Sequence, residues 1–201
     1  MKRRALLLAA LCLSACASVA PPGAAPGTPQ ALGTAPLSAS YTGRFSVGYV
    51  DQTQSERHVY GNFAWRETGQ AVDVELRNPF GNTLAVIHSD ARGASLTVPN
   101  RPVRRAPDVE ALMNDALGFA LPVAGLRYWL TAQAAPGKAP AAVRRDAQGR
   151  LEHLEQDGWS IDYLGYAGGA AARVTRMNLH RDAGTGSASP LDVRLVLDAP
   201  A

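Results

Sequence analysis

The stretch Val72-Asp73-Val74-Glu75-Leu76-Arg77-Asn78-Pro79-Phe80-Gly81-Asn82-Thr83-Leu84-Ala85-Val86-Ile87 decides the fold. Val72, Val74 and Leu76 alternate with Asp73, Glu75 and Arg77, the period of two that marks a half-buried strand. Leu84 and Val86 resume an apolar pattern after the break, and Asn78 to Asn82 is a cluster of turn formers between the two runs. A turn of this kind has every reason to be polar, yet Phe80 stands at its tip. A single exposed hydrophobe is common and often without meaning. A large aromatic at a turn tip either folds back onto the protein or meets something apolar from outside.

The same period runs through the flanking sequence. Tyr41 to Val50 alternates around Phe45, Val47 and Tyr49, and His58 to Trp65 presents Tyr60, Phe63 and Trp65. Glu67 to Gln70 turns into Val72, and Asp90 to Gly93 turns into Ala94 to Val98. Later, Arg150 to Glu155 and Trp159 to Tyr163 flank Gln156-Asp157-Gly158, a strong hairpin signal. Ala172 to His180 and Leu191 to Leu197 complete the strands. Helical spacing is confined to the middle. Pro107 and Asp108 open a run in which Val109, Leu112, Met113, Ala116 and Leu117 share one face, ended by Gly118. A second short helix starts near Pro122, with Val123, Leu126, Trp129 and Leu130 on one side. The pattern predicts a mainly β protein with a few covering helices: a single curved antiparallel sheet, open or partly closed, with the helices across one face.

The start of the chain has a different character. Met1-Lys2-Arg3-Arg4 is a positive n-region, and Ala5 to Leu13 is an uncharged apolar run about half as long as the ~20 residues a bilayer span requires. Leu13-Ser14-Ala15-Cys16 resembles the bacterial lipobox, in which the leader is cut before a cysteine that becomes triacylated. Residues 1–15 therefore read as a lipoprotein signal peptide and Cys16 as the lipid anchor. Ala17 stands where an aspartate would favour retention in the inner membrane, so the resemblance implies the outer membrane. Residues up to Ser40 are poor in charge and include Pro21, Pro22, Pro26, Pro29 and Pro36. Residues 16–40 read as the lipidated cysteine plus a Pro/Ala-rich tether with a reach on the order of 50 Å. The folded domain is assigned to residues 41–201.

Removal of Lys2, Arg3 and Arg4 leaves 17 basic and 17 acidic residues, so the net charge of +3 belongs to the leader. No basic stripe with interleaved aromatics suggests nucleic acid. With Cys12 lost and Cys16 acylated, the domain has neither disulfide nor free thiol, and its core must hold it together. The four histidines, His58, His88, His153 and His180, stand singly with no second ligand at metal spacing. A Gly-x-Ser-x-Gly elbow and a phosphate-binding glycine loop are both missing. No metal, cofactor or enzymatic activity is expected.

Gly43-Arg44-Phe45-Ser46-Val47, Gly61-Asn62-Phe63-Ala64-Trp65, Asn78-Pro79-Phe80-Gly81, Leu121-Pro122-Val123 with Gly125 to Leu130, and Gln156-Asp157-Gly158-Trp159 occur in that order. Together they resemble the LolB family over Tyr41 to Leu197. The resemblance implies an incomplete antiparallel β-barrel with an apolar cavity under its helices. It implies an outer-membrane receptor, anchored on the periplasmic face, that accepts acylated lipoproteins from a soluble periplasmic carrier of the LolA kind. It would insert them into the inner leaflet, acting as a monomer. Phe80, with Pro79 and Gly81, becomes the membrane-insertion loop, and Trp65, Met113, Leu126 and Trp129 are candidates to line the acyl-chain cavity. Two departures stand out: the family commonly has a helix before the first strand, where this chain has the tether, and it usually carries leucine where this chain has Phe80. The alternative is a structural or assembly lipoprotein, accessory to outer-membrane protein biogenesis, whose sheet edge binds a polypeptide. A lipid-handling enzyme would need a nucleophile with a base, and no such pair is evident.

Overall fold

In the computed structural model the described residues are 38–51, 53–117, 122–169, 172–183 and 190–199. The leader, Cys16, most of the tether and Gly118 lie outside them. Eleven strands and two helices follow in chain order. They are β1 (Ser38–Val50), β2 (Glu56–Thr68), β3 (Ala71–Arg77), β4 (Thr83–Asp90), β5 (Gly93–Thr97), β6 (Arg104–Ala106), α1 (Val109–Leu117), α2 (Val123–Trp129), β7 (Ala142–Arg145), β8 (Leu151–Gln156), β9 (Trp159–Ala167), β10 (Arg173–Arg181) and β11 (Leu191–Leu197). The strands form one sheet in the order β6-β5-β4-β3-β2-β1-β11-β10-β9-β8-β7, every neighbouring pair antiparallel.

Only β1 and β11 pair across a long sequence distance; the other pairs join consecutive strands, the cheapest way to close loops. Side chains from β1 to β5 and β8 to β11 meet both helices in one continuous core. The sheet therefore curls round that core, but β6 and β7 end it without pairing, so the barrel stays open. The expected incomplete barrel is the architecture found. Among the described residues the core lies between Phe45 and Leu197, within a compact unit spanning Ala31–Ala201.

Three details of the sequence reading change. The first strand begins at Ser38 rather than Tyr41. Strands β6 and β7, short and rich in arginine, carry no alternation and were not expected from the pattern. The phase of β4 also differs: Leu76 pairs with Ala85 but Arg77 with Thr83, so Leu84 is the extra residue of a bulge. The bulge leaves Ala85 and Ile87 in phase with the inner face, and Ile87 rather than Val86 is buried.

The turns follow their chemistry. Asp157 and Gly158 both have positive φ (53° and 77°), the two-residue I′ hairpin that twisted antiparallel strands favour. Asp108 caps α1 by accepting a hydrogen bond from the Ala111 N–H at 2.7 Å. α2 has no side-chain cap, and the Leu126 N–H bonds the Pro122 carbonyl at 2.9 Å.

Three of the four histidines lie on strands directly opposite an aspartate: His88 with Asp73, His153 with Asp162 and His180 with Asp192. Their Nδ1 atoms approach the carboxylates to 2.7, 2.8 and 2.9 Å. The Asp73 bond raises the His88 pKa above its ordinary 6.5, and the Asp192 bond does the same for His180. A raised folded pKa stabilises the protein below the unfolded value and loses that contribution as pH rises through the folded one. Thermal stability should therefore decline modestly as pH rises from 6.5, these being surface pairs. His88→Gln/His180→Gln should flatten the decline, as calorimetry across pH will show; an unchanged slope would locate it elsewhere.

Candidate functional site

Strand alternation sends Phe45 and Val47 of β1, Phe63 and Trp65 of β2, Val74 and Leu76 of β3, and Ile87 of β4 to one face, beneath the helices. Packing there is incomplete. An inner hollow of about 80 Å³ lies under α2, lined by Trp65, Leu126, Val123 and Leu130 with side chains of β1 to β4 and β11. An outer hollow of about 340 Å³ is bounded by Tyr49, Val59, Leu84, Ala85, Val98 and Pro102 with Met113 and Ala116 of α1. Both are walled by Phe45, Val47 and Leu76, so they adjoin. The bulge matters here, because it turns both Leu84 and Ala85 towards the space.

The two ends of the cap are held differently. At its C-terminal end α2 is pinned to the sheet. The buried Gln156 of β8 accepts hydrogen bonds from the Trp129 indole N–H (3.0 Å) and the Ala135 N–H (2.8 Å). Its amide donates to the carbonyls of Ala135 and Lys138 at 2.9 and 2.8 Å. The Tyr163 hydroxyl donates to the Trp129 carbonyl at 3.1 Å, and burial raises its pKa, which keeps it a neutral donor. Arg127 adds a lateral tie, donating to the fully buried Glu67 carboxylate at 2.7 Å and to the Gly69 carbonyl at 2.7 Å. Gly125 belongs to this arrangement: a Cβ there would come within 2.6 Å of the Trp129 ring. α1, by contrast, packs over β5 and β6, and its one ion pair among the described residues is the exposed Arg104–Asp115 contact at 3.3 Å.

The Phe80 turn lies beside the outer hollow. Asn78 organises it: its side-chain oxygen accepts from the N–H groups of Phe80 (2.9 Å) and Asn82 (3.0 Å), and its own N–H donates to the Asn82 carbonyl at 2.9 Å. Gly81 takes a φ of +88° that glycine adopts without strain. Phe80 is 89% exposed, with Pro79 and Gly81 also exposed beside it. It does not fold back. The pairings Asn62–Arg77 and Val86–Thr97 put this turn and the link 98–103 at the same end of the sheet, where β1 ends and β2 begins. Leu84, just after the turn, and Val98, Arg101 and Pro102 of the link all border the outer hollow.

Cys16 lies outside the described residues; the other residues singled out from the sequence each have a place. Trp65 and Leu126 line the inner hollow and Met113 the outer one. Trp129 lines neither: it is fully buried, bonded to Gln156 and tilted against Trp159 with ring centroids 6.5 Å apart. Its work is to fasten the cap. Phe45, Val47, Leu76 and Leu84 were not singled out, although for the first three the strand phase was signal enough. Gln156 gave no sign beyond a polar residue next to a hairpin. Among the described residues no group of three or more histidine, cysteine, aspartate or glutamate side chains could hold a metal ion. No described helix is long and apolar enough to cross a membrane.

A family model described as "Outer membrane lipoprotein LolB" matches residues 39–199. Among curated proteins, the "Outer-membrane lipoprotein LolB" of Cupriavidus necator is 48% identical over 190 residues, 94% of this chain and 91% of that protein. The protein of the same name from Ralstonia nicotianae is 47% identical over 203 residues, covering 96% and 95%. Among solved structures, a LolA-superfamily protein from Nitrosomonas europaea matches with a TM-score of 0.40 at 12% identity, covering 80% of this chain and 87% of that one.

If Gln156 fastens the cap, Gln156→Leu should cost about 1–3 kcal/mol for each buried polar group left unpaired. Urea denaturation will measure the loss, and tryptophan emission should shift to the red as the Trp129 end loosens. A variant as stable as the parent would show that this end of the cap is held by packing alone.

Proposed function

The chain belongs to the LolB family of outer-membrane lipoproteins, and from that premise we propose that it receives acylated lipoproteins and inserts them into the inner leaflet of the outer membrane. The physical problem is solubility. Each buried methylene is worth ~0.8 kcal/mol, so three chains of about 16 carbons represent on the order of 40 kcal/mol of hydrocarbon exposed to water. Such a molecule cannot cross water bare; it must move between apolar compartments that touch. The hollows beneath the helices are such a compartment. They include Trp65, Met113 and Leu126 among their walls, while Trp129 keeps one end of the lid in place.

One observation carries the reading: an almost fully exposed phenylalanine stands on a rigid turn next to an apolar hollow. A free monomer gains nothing from Phe80 in water. Beside a bilayer the same side chain enters the interface and brings the opening close to lipid. Phenylalanine is as apolar and bulky as the leucine usual in the family, so insertion survives the exchange. At rest the hollows are no larger than an ordinary small-ligand cleft of about 300–1,000 Å³. Three acyl chains need more room, so the less firmly held α1 side of the cap must yield when cargo enters.

The remaining assignments follow from the same reading. Residues 1–15 are the leader, Cys16 is the acylated anchor on the periplasmic face, and residues 16–40 are the tether that lets the domain range over the membrane. A soluble LolA-like carrier delivers the cargo, and the protein acts as a monomer without nucleic acid. Passage from carrier to hollow to bilayer runs downhill if each compartment binds the chains better than the last. No covalent bond is made or broken, so neither a cofactor nor a catalytic residue is required.

Phe80→Glu should leave folding and lipoprotein capture intact and slow insertion into vesicles at least tenfold. Insertion at the parental rate would remove this loop from the mechanism. An apolar fluorescent probe should bind the domain and be displaced by a lipoprotein, and Met113→Trp should weaken that binding by filling the outer hollow. A parent protein that takes up no probe would mean that the space beneath the helices is a closed core.

A further inference from the structure

The link between β5 and β6, with the start of β6, carries a cluster that the mechanism above leaves unused. Arg101-Pro102-Val103-Arg104-Arg105 holds three arginines in five residues with no acidic neighbour among them. All five residues are exposed, Val103 to 44%. Arg101 and Arg104 border the outer hollow. Arg105 pairs with Ser95 and by strand alternation stands on the opposite face of β6. Among the described residues Arg101 and Arg105 have no ion-pair partner, while Arg104 is engaged by Asp115, whose carbonyl and carboxylate accept from it at 3.2 and 3.3 Å in an exposed contact. On β1 to β3 at this end the arginines are paired: Arg57 is held by Asp51 at 2.7 Å and Arg77 by Glu75 at 2.6 Å, while Asp182 and Asp192 share His180 further round the sheet. Glu56, which has no such partner among the described residues, stands on β2, three strands along the sheet.

From this juxtaposition we infer that the link 98–103 with the start of β6 is a docking surface for anionic phospholipid, the guanidinium groups of Arg101 and Arg105 binding headgroup phosphates while Phe80 enters the acyl region at the same end of the sheet. The inference rests on the insertion role proposed for the Phe80 turn and adds a lipid class to it. The chemistry favours a bilayer as the occupant. Arginine presents a planar fork that fits phosphate oxygens, and here it shares one end of the sheet with two exposed apolar side chains, Phe80 and Val103. A membrane surface offers that combination of dense negative charge above hydrocarbon. The arrangement also orients the molecule. With Phe80 and the arginines both engaged, the outer hollow faces the leaflet rather than the water.

Each basic side chain close to an anionic leaflet strengthens attachment about fivefold. The test uses the chain from Ala17 onwards, which has no anchor, in flotation with vesicles of phosphatidylcholine alone or with phosphatidylglycerol added. The parent should bind the anionic vesicles at least tenfold more tightly at low salt, the preference fading as salt screens it. Arg101→Gln/Arg105→Gln should bring anionic binding down to the neutral-vesicle level and leave neutral binding unchanged. Phe80→Glu should weaken binding to both vesicle types. Equal parental binding to the two compositions, or a double variant that keeps the preference, would overturn the inference. So would a double variant with normal vesicle binding but impaired uptake from a carrier, which would make these arginines a protein-docking patch. These overturning results concern the arginines alone; the Phe80 role fails separately if Phe80→Glu binds both vesicle types as the parent does or inserts cargo at the parental rate.

Discussion

The cap of this molecule depends on one buried amide. Gln156 sits at the end of β8, before the hairpin to β9, and its side chain satisfies an indole N–H, a backbone N–H and two backbone carbonyls. One belongs to Trp129, the last residue of α2, and the other three to Ala135 and Lys138 in the segment that follows; α2 is a helix of only seven residues with no side-chain cap. A helix that short does not hold itself together in water, so its geometry is borrowed from the sheet. Buried polar groups of this kind are costly when half satisfied and specifying when complete. Here the set is complete, and it determines which end of the lid stays shut.

The consequence is an asymmetric container. One end is tied by Gln156, Tyr163 and the Arg127–Glu67 pair, while the other is bounded by the bulge in β4, the exposed Arg104–Asp115 contact and the Phe80 turn. Apolar surface that is covered but not tightly filled is what a guest of variable length requires. Interiors of ordinary proteins are close-packed, and a hollow lined by Phe45, Val47 and Leu76 lacks the dispersion contacts that filling it would supply. The unfilled space is a store of affinity for hydrocarbon.

Much of this was legible in the sequence. The antiparallel meander, the Asp157-Gly158 hairpin, the two helices and the exposed loop all follow from period-two alternation, turn chemistry and one helical stripe. The failures have physical causes. β6 and β7 are three and four residues long and dominated by Arg104, Arg105, Arg144 and Arg145, so no hydrophobic period announces them. Leu84 and Val86 look like one face of a strand, but the bulge shifts the phase and Ile87 takes the core. Trp129 shares the apolar face of α2 with Leu126, and spacing cannot reveal that its ring turns towards a glutamine 27 residues later. Side-chain hydrogen bonds between distant elements leave no local trace in a sequence.

The open barrel raises one last point. A sheet that never closes has two free margins, each with backbone groups ready to pair with a second molecule, and proteins in that situation tend towards fibres or swapped dimers. Here β6 and β7 are cut to three and four residues and carry arginines at both positions where a visiting strand would settle. Like charges meeting edge to edge repel. Short, arginine-bearing margins let the sheet stay open while offering a visiting strand little to pair with.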